Sequence, residues 1–514
     1  MPKLFSVSLI SFIVLHLFLI NFNYAEWGDT YRILRASEYV RNLSYPSDEK
    51  RPPLFSAVLA LRPENFDQIS WGRIVMLFLS VIAFSVFYKL AASFLITDYE
   101  KTLAVVLFIL NPVYLYWSLR IYADVPFSIL CMLALLLYTK WKKSLSTAKV
   151  LMLSLIVSLS ILTRFEGFIL FVALGTALLF KNGFYIKKID LNKLNIKQAG
   201  LYVVSTLLVI GPYLLYKNPF ASKYLEEPEN RAYDLKMAAV FLLSFLFVLG
   251  VDITGYVFLK SRKYLPGFFK ENIHITVFLF LELLLILVWP AAIPRLFVPL
   301  IPVLIILFSK HLYTFLMEGN FGSKKVYFLA TVFLLTLHIV GQYFLKLQFL
   351  VNIKYLLAVT VLFQLGLSVS LYFKKKYILP VFLIFSLSAW SFAVLYVHKY
   401  IYRSVKEAAV YAAQNFEGNV GYNDVSSVSD WYLNYYNGGK NNTGIYMFYA
   451  KKADLNYENL VSKKLDYLLM TNEHNTDTTL DIEQRPYLEQ LVEFKYAING
   501  KEFWTKVLKI KNYE

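Results

Sequence analysis

Thirteen apolar runs follow one another through the first 398 residues, near 4–22, 74–96, 102–118, 125–139, 148–162, 165–180, 199–216, 237–259, 273–292, 294–308, 326–345, 353–373 and 377–398. Many approach the roughly 20 residues that a helix needs to cross a bilayer. A backbone in hydrocarbon has to satisfy its own hydrogen bonds, so runs of this kind fold as helices. The pattern stops at Val397, and residues 399–514 have ordinary globular composition. The expected fold is a polytopic α-helical membrane protein with about 13 spans, followed by a small α/β domain.

Charge decides how the runs are oriented. The chain carries 52 Lys and Arg against 35 Asp and Glu, a net charge of +17. With a cytoplasmic N-terminus, the cytoplasmic segments hold 22 cations and five acids, and the opposite loops 16 cations and 13 acids. The excess is the positive-inside bias, so it gives no reason to expect a nucleic-acid partner. An odd number of spans then places residues 399–514 outside the membrane, making this an integral protein of the cell membrane. The first run is longer than a signal-peptide core and Asn23 is a poor partner for Ala25 at a cleavage site, so it reads as a retained span. Cys131 is the single cysteine; it excludes an intrachain disulfide and reads as a small buried hydrophobe.

In the tail, Ser404 to Phe416 has the period of an amphipathic helix. Asn419 to Tyr422 and Leu465 to Thr471 read as short buried strands. Leu491 to Tyr496 and Phe503 to Ile510 read as a strand pair around Asn499-Gly500. The expected division is a transmembrane module at 1–398, with a long first external loop at about 23–73, and a soluble domain at 399–514.

Sorting polar residues by face gathers a suggestive set outside. Glu26 and Asp29 follow the first run, Lys50 and Arg51 precede the second, Asp124 follows Arg120 between runs three and four, Arg164 and Glu166 lie between runs five and six, and Arg295 opens the tenth. Thr163-Arg-Phe-Glu-Gly167 is so short that its charges must sit at interface depth, where they are costly and usually paired or functional. Arginine forks bind phosphate bidentately, and a carboxylate can take a proton from an acceptor hydroxyl. Arginines and carboxylates at the membrane surface suit transfer of a sugar from a lipid-linked phosphate.

The same residues carry a resemblance. Asp29-Thr-Tyr-Arg-Ile-Leu-Arg-Ala-Ser-Glu-Tyr-Val, Lys50-Arg-Pro-Pro-Leu-Phe, Tyr122-Ala-Asp-Val-Pro126, Arg164-Phe-Glu-Gly167 and Pro294-Arg-Leu-Phe-Val-Pro-Leu-Ile-Pro302 resemble, in order and spacing, the GT-C glycosyltransferases of the protein mannosyltransferase and aminoarabinose transferase type (family 39). The resemblance covers residues 1 to about 310. It implies a GT-C fold, a polyprenyl-phosphate sugar donor, inversion at the anomeric carbon, and two short helices in the first loop, for which Tyr31 to Leu43 and Leu54 to Leu61 are available. It also implies an acidic base in that loop, which maps onto Asp29, with Glu26 as the weaker candidate. The remaining site residues, Lys50, Arg51, Asp124, Arg164, Glu166 and Arg295, would bind substrate. Family members often carry an adjacent Asp-Glu pair where this chain has Asp29-Thr30. The WWDYG sequence of oligosaccharyltransferases is missing, with Asp430-Trp431-Tyr432 only a faint echo that fits a core helix better; this argues against an oligosaccharide donor.

The resulting reading is an inverting transferase of a monosaccharide, mannose or another hexose, to a protein, glycan or lipid acceptor on the external face, with membrane lipids around it. The alternative is a transporter or flippase of lipid-linked saccharide. A transporter should show repeated halves with polar residues at broken helices, whereas this chain concentrates them at one face. Glu282 and Asp252 lie within runs, towards the cytoplasmic side, and read as protonated, hydrogen-bonded carboxyls or as an ion site. No cluster demands a metal, and a divalent ion is left open; His338 has no second ligand at metal spacing.

Overall fold

The computed structural model describes residues 2–47, 49–180, 195–217, 265–289, 294–318, 378–424, 427–435, 442–447, 456–473, 485–498 and 501–511. The expected spans near 237–259, 326–345 and 353–373, together with Asp252 and His338, lie outside these residues. The chain divides into two compact units. One comprises residues 1–20 and 39–394, the other 21–38 and 395–514.

The first unit is helical. In chain order it contains α1 (Pro2–Leu19), the end of α2 (Gly28–Arg41), α3 (Leu54–Ala60), α4 (Gln68–Phe94), α5 (Asp98–Ile109), α6 (Pro112–Ser118), α7 (Asp124–Trp141), α8 (Thr147–Thr163), α9 (Gly167–Leu179) and α10 (Ile196–Lys217). Then come α11 (Leu265–Glu271), α12 (Ile273–Val288), a 3-10 turn (Pro294–Phe297), α13 (Ile301–Glu318) and most of α14 (Ile378–His398). Among the described residues, α4, α7 and α10 are long and apolar enough to cross a membrane, and α5 with α6 would make a fourth span bent by 55°. The bend has a local cause. Pro112 cannot continue α5, and the Asn111 side chain accepts from the backbone N–H groups of Val113 (3.1 Å) and Tyr114 (2.9 Å), starting a new helix.

Helix packing relies on flat aromatic faces and small polar residues. Phe87 stacks on Phe108 at 4.1 Å and 9°. The Ser154 hydroxyl lies 2.9 Å from that of Thr206 and accepts from Ser205 at 2.8 Å, a polar seam between α8 and α10 of the kind that joins helices where burial alone gives little drive. α8 and α9 meet through a tight turn at Gly167. A Cβ there would stand 2.5 Å from the Ile161 backbone nitrogen and 2.7 Å from the Ser160 carbonyl carbon.

The second unit holds a five-stranded sheet in the order β2-β1-β3-β5-β4, formed by β1 (Gly418–Tyr422), β2 (Asn442–Tyr446), β3 (Tyr467–Thr471), β4 (Leu488–Ile498) and β5 (Lys501–Ile510). β1 runs parallel to β2 and β3, while β5 is antiparallel to β3 and β4. The helix α15 (Arg403–Asn415) buries Val405, Ala408, Ala409, Ala412 and Ala413, an alanine-rich face that allows close approach. A second core of Met447, Leu460, Leu465, Leu468, Met470 and Leu508 includes the short helix α16 (Tyr457–Ser462). The expected helix and strand pair are present. β2 is additional, and Trp431 and Tyr432 are buried core residues.

Residues 21–38 belong to this unit. The Tyr24 backbone N–H donates to the Lys399 carbonyl at 3.0 Å and its hydroxyl to Glu407 at 2.8 Å. The Tyr31 ring lies 5.9 Å from Trp431 and 6.2 Å from Tyr432. The first part of α2 is thereby anchored to the domain that carries the sheet.

Candidate active site

The two carboxylates of the first loop have different surroundings within the second unit. Asp29 occupies the first turn of α2 and is half-buried; a carboxylate there is favoured by the unpaired N–H groups and the dipole of the helix start. Glu26 precedes the helix and is fully buried, with its backbone N–H donating to the Tyr31 hydroxyl at 3.3 Å. Spacing alone would put the two on one helical face, whereas the helix begins between them.

The first unit brings four of the predicted residues together. Asp124 starts α7. Arg164 and Glu166 come from the α8–α9 turn, and Arg295 from the 3-10 turn. One terminal nitrogen of Arg164 donates to Asp124 Oδ1 and the other to Glu166 Oε1. This guanidinium is mostly buried, so the ion pairs are shielded from water in a way that surface pairs are not. Burial opposes the ionisation of Glu166, yet the Arg164 guanidinium, helped by Arg295, holds its carboxyl below the usual carboxylate range. Arg295 lies over two aromatic faces, 5.3 Å from the Tyr122 ring centre and 6.0 Å from that of Trp117, a cation–π arrangement that helps to orient its guanidinium.

Lys50 and Arg51 lie on a loop that the end of α10 holds down. Lys217 Nζ donates to the Ser47 carbonyl at 2.9 Å, and the Tyr216 hydroxyl to the Tyr45 carbonyl at 2.8 Å. The Tyr45 hydroxyl donates to the Arg51 carbonyl at 2.6 Å. Tyr213 donates to the same carbonyl at 3.5 Å and stacks on Phe165, next to Arg164. This tyrosine set is missing from the sequence reading, since aromatic residues near a membrane surface are common and their partners are distant in sequence.

A small pocket is lined by Asp124, Arg164, Glu166 and Glu282, with Phe127 and Trp289 among its walls. Placing Glu282 well inside its run and towards the cytoplasmic side separated it from the loop residues. The structure places Glu282, on α12, in one pocket with Asp124, Arg164 and Glu166. Among the described residues no group of three His, Cys, Asp or Glu is arranged to hold a metal ion.

No protein-family model matches this chain, and no curated protein matches it. Solved structures do. ArnT from Cupriavidus metallidurans in the apo state aligns over 97% of this chain and 97% of its own, at 12% identity and a TM-score of 0.61. The same protein bound to undecaprenyl phosphate aligns over 98% and 97%, at 14% identity and 0.57. The archaeal oligosaccharyltransferase AglB from Archaeoglobus fulgidus, in complex with an inhibitory peptide and a dolichol-phosphate, aligns over 98% of this chain and 74% of its own, at 11% identity and 0.55. These are GT-C glycosyltransferases, and the fold of this chain is the GT-C fold.

Proposed function

We propose that this chain is an integral membrane glycosyltransferase that moves a monosaccharide from a polyprenyl-phosphate carrier to an acceptor hydroxyl. The observation that carries the reading is the buried Asp124–Arg164–Glu166 cluster beside Arg295, in a chain whose fold is shared with proteins solved with undecaprenyl phosphate or dolichol-phosphate. Arginines and carboxylates at one depth match the two charge demands of the reaction, a leaving phosphate and an electron-poor anomeric carbon.

In this mechanism the acceptor hydroxyl is the nucleophile. Its oxygen forms a bond to the anomeric carbon as the bond from that carbon to the phosphate oxygen breaks. The electron pair leaves with the phosphate, the hydroxyl proton passes to the general base Asp29, and a single displacement inverts the configuration. Arg295, whose guanidinium rests on the Tyr122 and Trp117 faces, is the main phosphate ligand, and Lys50 and Arg51 add positive charge. Arg164 and Glu166 act chiefly by shaping the pocket. The sugar is mannose or another hexose, the acceptor is a protein, glycan or lipid hydroxyl, and the reaction takes place on the external face with residues 399–514 on that side.

A transfer assay in proteoliposomes tests this, using a panel of polyprenyl-phosphate monosaccharides and mass spectrometry of the products. One donor should be consumed and its sugar should appear on an acceptor with inverted configuration. Movement of intact lipid-linked saccharide between leaflets without transfer would replace the enzyme with a transporter.

A further inference from the structure

We propose that Glu473 is a positioning residue for the transfer: it fixes the left-handed backbone at Tyr402, and through Tyr402 and Trp27 it sets the start of α2, where Asp29 stands. This rests on the transferase reading and on Asp29 as its base. All of these residues belong to the second unit.

Tyr402, which caps the start of α15, has φ 59° and ψ 20°, a conformation that glycine adopts freely and tyrosine rarely does. Backbone of this kind persists only where its surroundings hold it, and it recurs at functional sites. Here Glu473 supplies the hold, since its Oε1 accepts the Tyr402 backbone N–H at 2.7 Å. The carboxyl is itself fixed from the sheet. The Glu473 backbone N–H donates to the Thr471 hydroxyl at 3.1 Å, at the end of β3, and the Tyr496 hydroxyl, from β4, donates to the same Oε1. Glu473 is buried, so a bond lost here is not made good by water.

Tyr402 in turn meets the first loop. Its ring stands edge-on to Trp27, with centres 5.9 Å apart. The chain on either side of Tyr402 grips the same loop: the Lys399 carbonyl accepts the Tyr24 backbone N–H at 3.0 Å, and Lys406 Nζ donates to the Tyr24 carbonyl at 2.9 Å. The Trp27 carbonyl accepts the Thr30 N–H at 2.8 Å, closing a turn that contains Asp29. A shift at Tyr402 therefore reaches Asp29 through Trp27. Arg295, which holds the donor phosphate in the proposed mechanism, belongs to the other unit. The expected signature is a loss of turnover with donor binding kept.

The test places Glu473→Leu and Glu473→Gln in the wild-type chain and in Asp29→Asn, and measures kcat, donor KM and melting temperature for each. Glu473→Leu removes the acceptor and should lower kcat roughly 10- to 100-fold, the size of a shift near 1 Å at the reacting groups, with donor KM nearly unchanged. Glu473→Gln keeps an oxygen for the Tyr402 N–H and should retain most of the turnover. In the Asp29→Asn background Glu473→Leu should cost less than about 3-fold more, because the two changes remove one function. Glu473→Asp, whose acceptor is set back by one methylene, takes the place of the leucine variant if that is not recovered, and its kcat should fall in the same direction. An unchanged kcat in Glu473→Leu, a glutamine variant as slow as the leucine one, or losses that multiply in the Asp29→Asn background would each overturn the assignment. A wild-type chain that transfers no sugar removes the transferase reading first, an Asp29→Asn variant that keeps its turnover removes the base, and either takes this inference with it.

Discussion

Arg35 and Asp430 form an ion pair at 3.5 Å, joining the helix of the first loop to the domain at the other end of the chain. Asp430 also accepts from the Asn434 side chain at 2.9 Å and from the Tyr422 hydroxyl at 3.4 Å, so the acid is held from three sides. Asp29 lies on the same helix as Arg35. The pair is partly exposed, and its loss should cost little stability, about 0.2 to 1 kcal/mol. Catalysis is more sensitive to position than stability is, because a shift near 1 Å can cost about 10²-fold. Arg35→Ala and Asp430→Asn should each lower turnover several-fold with a nearly unchanged melting temperature, and the double variant should be little worse than either single one. Additive losses would show that the two residues act separately.

A second prediction concerns Gly167. An alanine Cβ would press on the backbone of α8, where no side-chain rotation can relieve the contact. Overpacking of this kind costs roughly 1 to 3 kcal/mol. Gly167→Ala should lower the melting temperature in detergent and reduce activity further, since the turn it distorts carries Arg164 and Glu166. Unchanged melting would mean that α8 and α9 can separate at no cost.

How much of this was legible in the sequence depends on how local each signal is. α15 followed from the spacing of Val405, Ala408, Ala409 and Ala412, and the two first-loop helices lie within a few residues of their expected places. The break at Asn111-Pro112 was written in the chain as a cap and a proline, but hydropathy averages over such a pair and returned one span at 102–118. β2 was missed because Asn442-Thr-Gly-Ile-Tyr446 has the composition of a turn and is made a strand by its neighbour β1. The meeting of Asp124, Arg164 and Glu166 could be expected from sidedness. The inclusion of Glu282 could not, because hydropathy marks it as mid-run and carries no information on which side chains of α7 and the α8–α9 turn it meets.

A third prediction follows from Glu473. Its Oε1 accepts from the Tyr402 backbone N–H at 2.7 Å and from the Tyr496 hydroxyl, and the side chain is buried. Burial, with a smaller contribution from nearby Asp424, pushes its carboxyl up from 4.5 to about 7, against the hydrogen bonds from Tyr496, Tyr402 and Ser404. The folded chain then binds more protons than the unfolded chain between these values. Stability from this group is therefore fully present below pH 4.5 and falls as pH rises to about 7, by at most about 3 kcal/mol. Unfolding of the full chain, followed between pH 5 and 8, should show this decline, and Glu473→Gln should flatten it. A wild-type profile that rises over the same interval would contradict the assignment.

The fourth prediction separates charge from geometry at the phosphate. Arg295→Lys keeps the positive charge and loses both the planar fork and the stacking on Tyr122 and Trp117. Donor KM should rise by about 10-fold or more, the factor that corresponds to loss of one charge-assisted hydrogen bond. The same change at Arg164 should act mainly on stability, because Arg164 is tied to Asp124 and Glu166. If Arg164→Lys raises donor KM while Arg295→Lys does not, the two assignments are to be exchanged.

The last prediction concerns the base. A general base has to be ionised and reachable when the acceptor hydroxyl arrives, and Asp29 is half-buried at a helix start, whereas Glu26 is fully enclosed. Asp29→Asn preserves size and most hydrogen bonding, so the protein should fold and still bind donor. It can no longer accept the proton, and turnover should fall by roughly 10²- to 10⁴-fold, the range for general-base catalysis. Glu26→Gln should act on the melting temperature more than on turnover, because a buried side chain next to Tyr31 serves the packing of the loop. Measuring kcat, donor KM and melting for both variants distinguishes the roles. If Glu26→Gln or Asp124→Asn abolishes turnover while Asp29→Asn retains it, the base lies elsewhere; if all three retain it, the transferase reading itself fails.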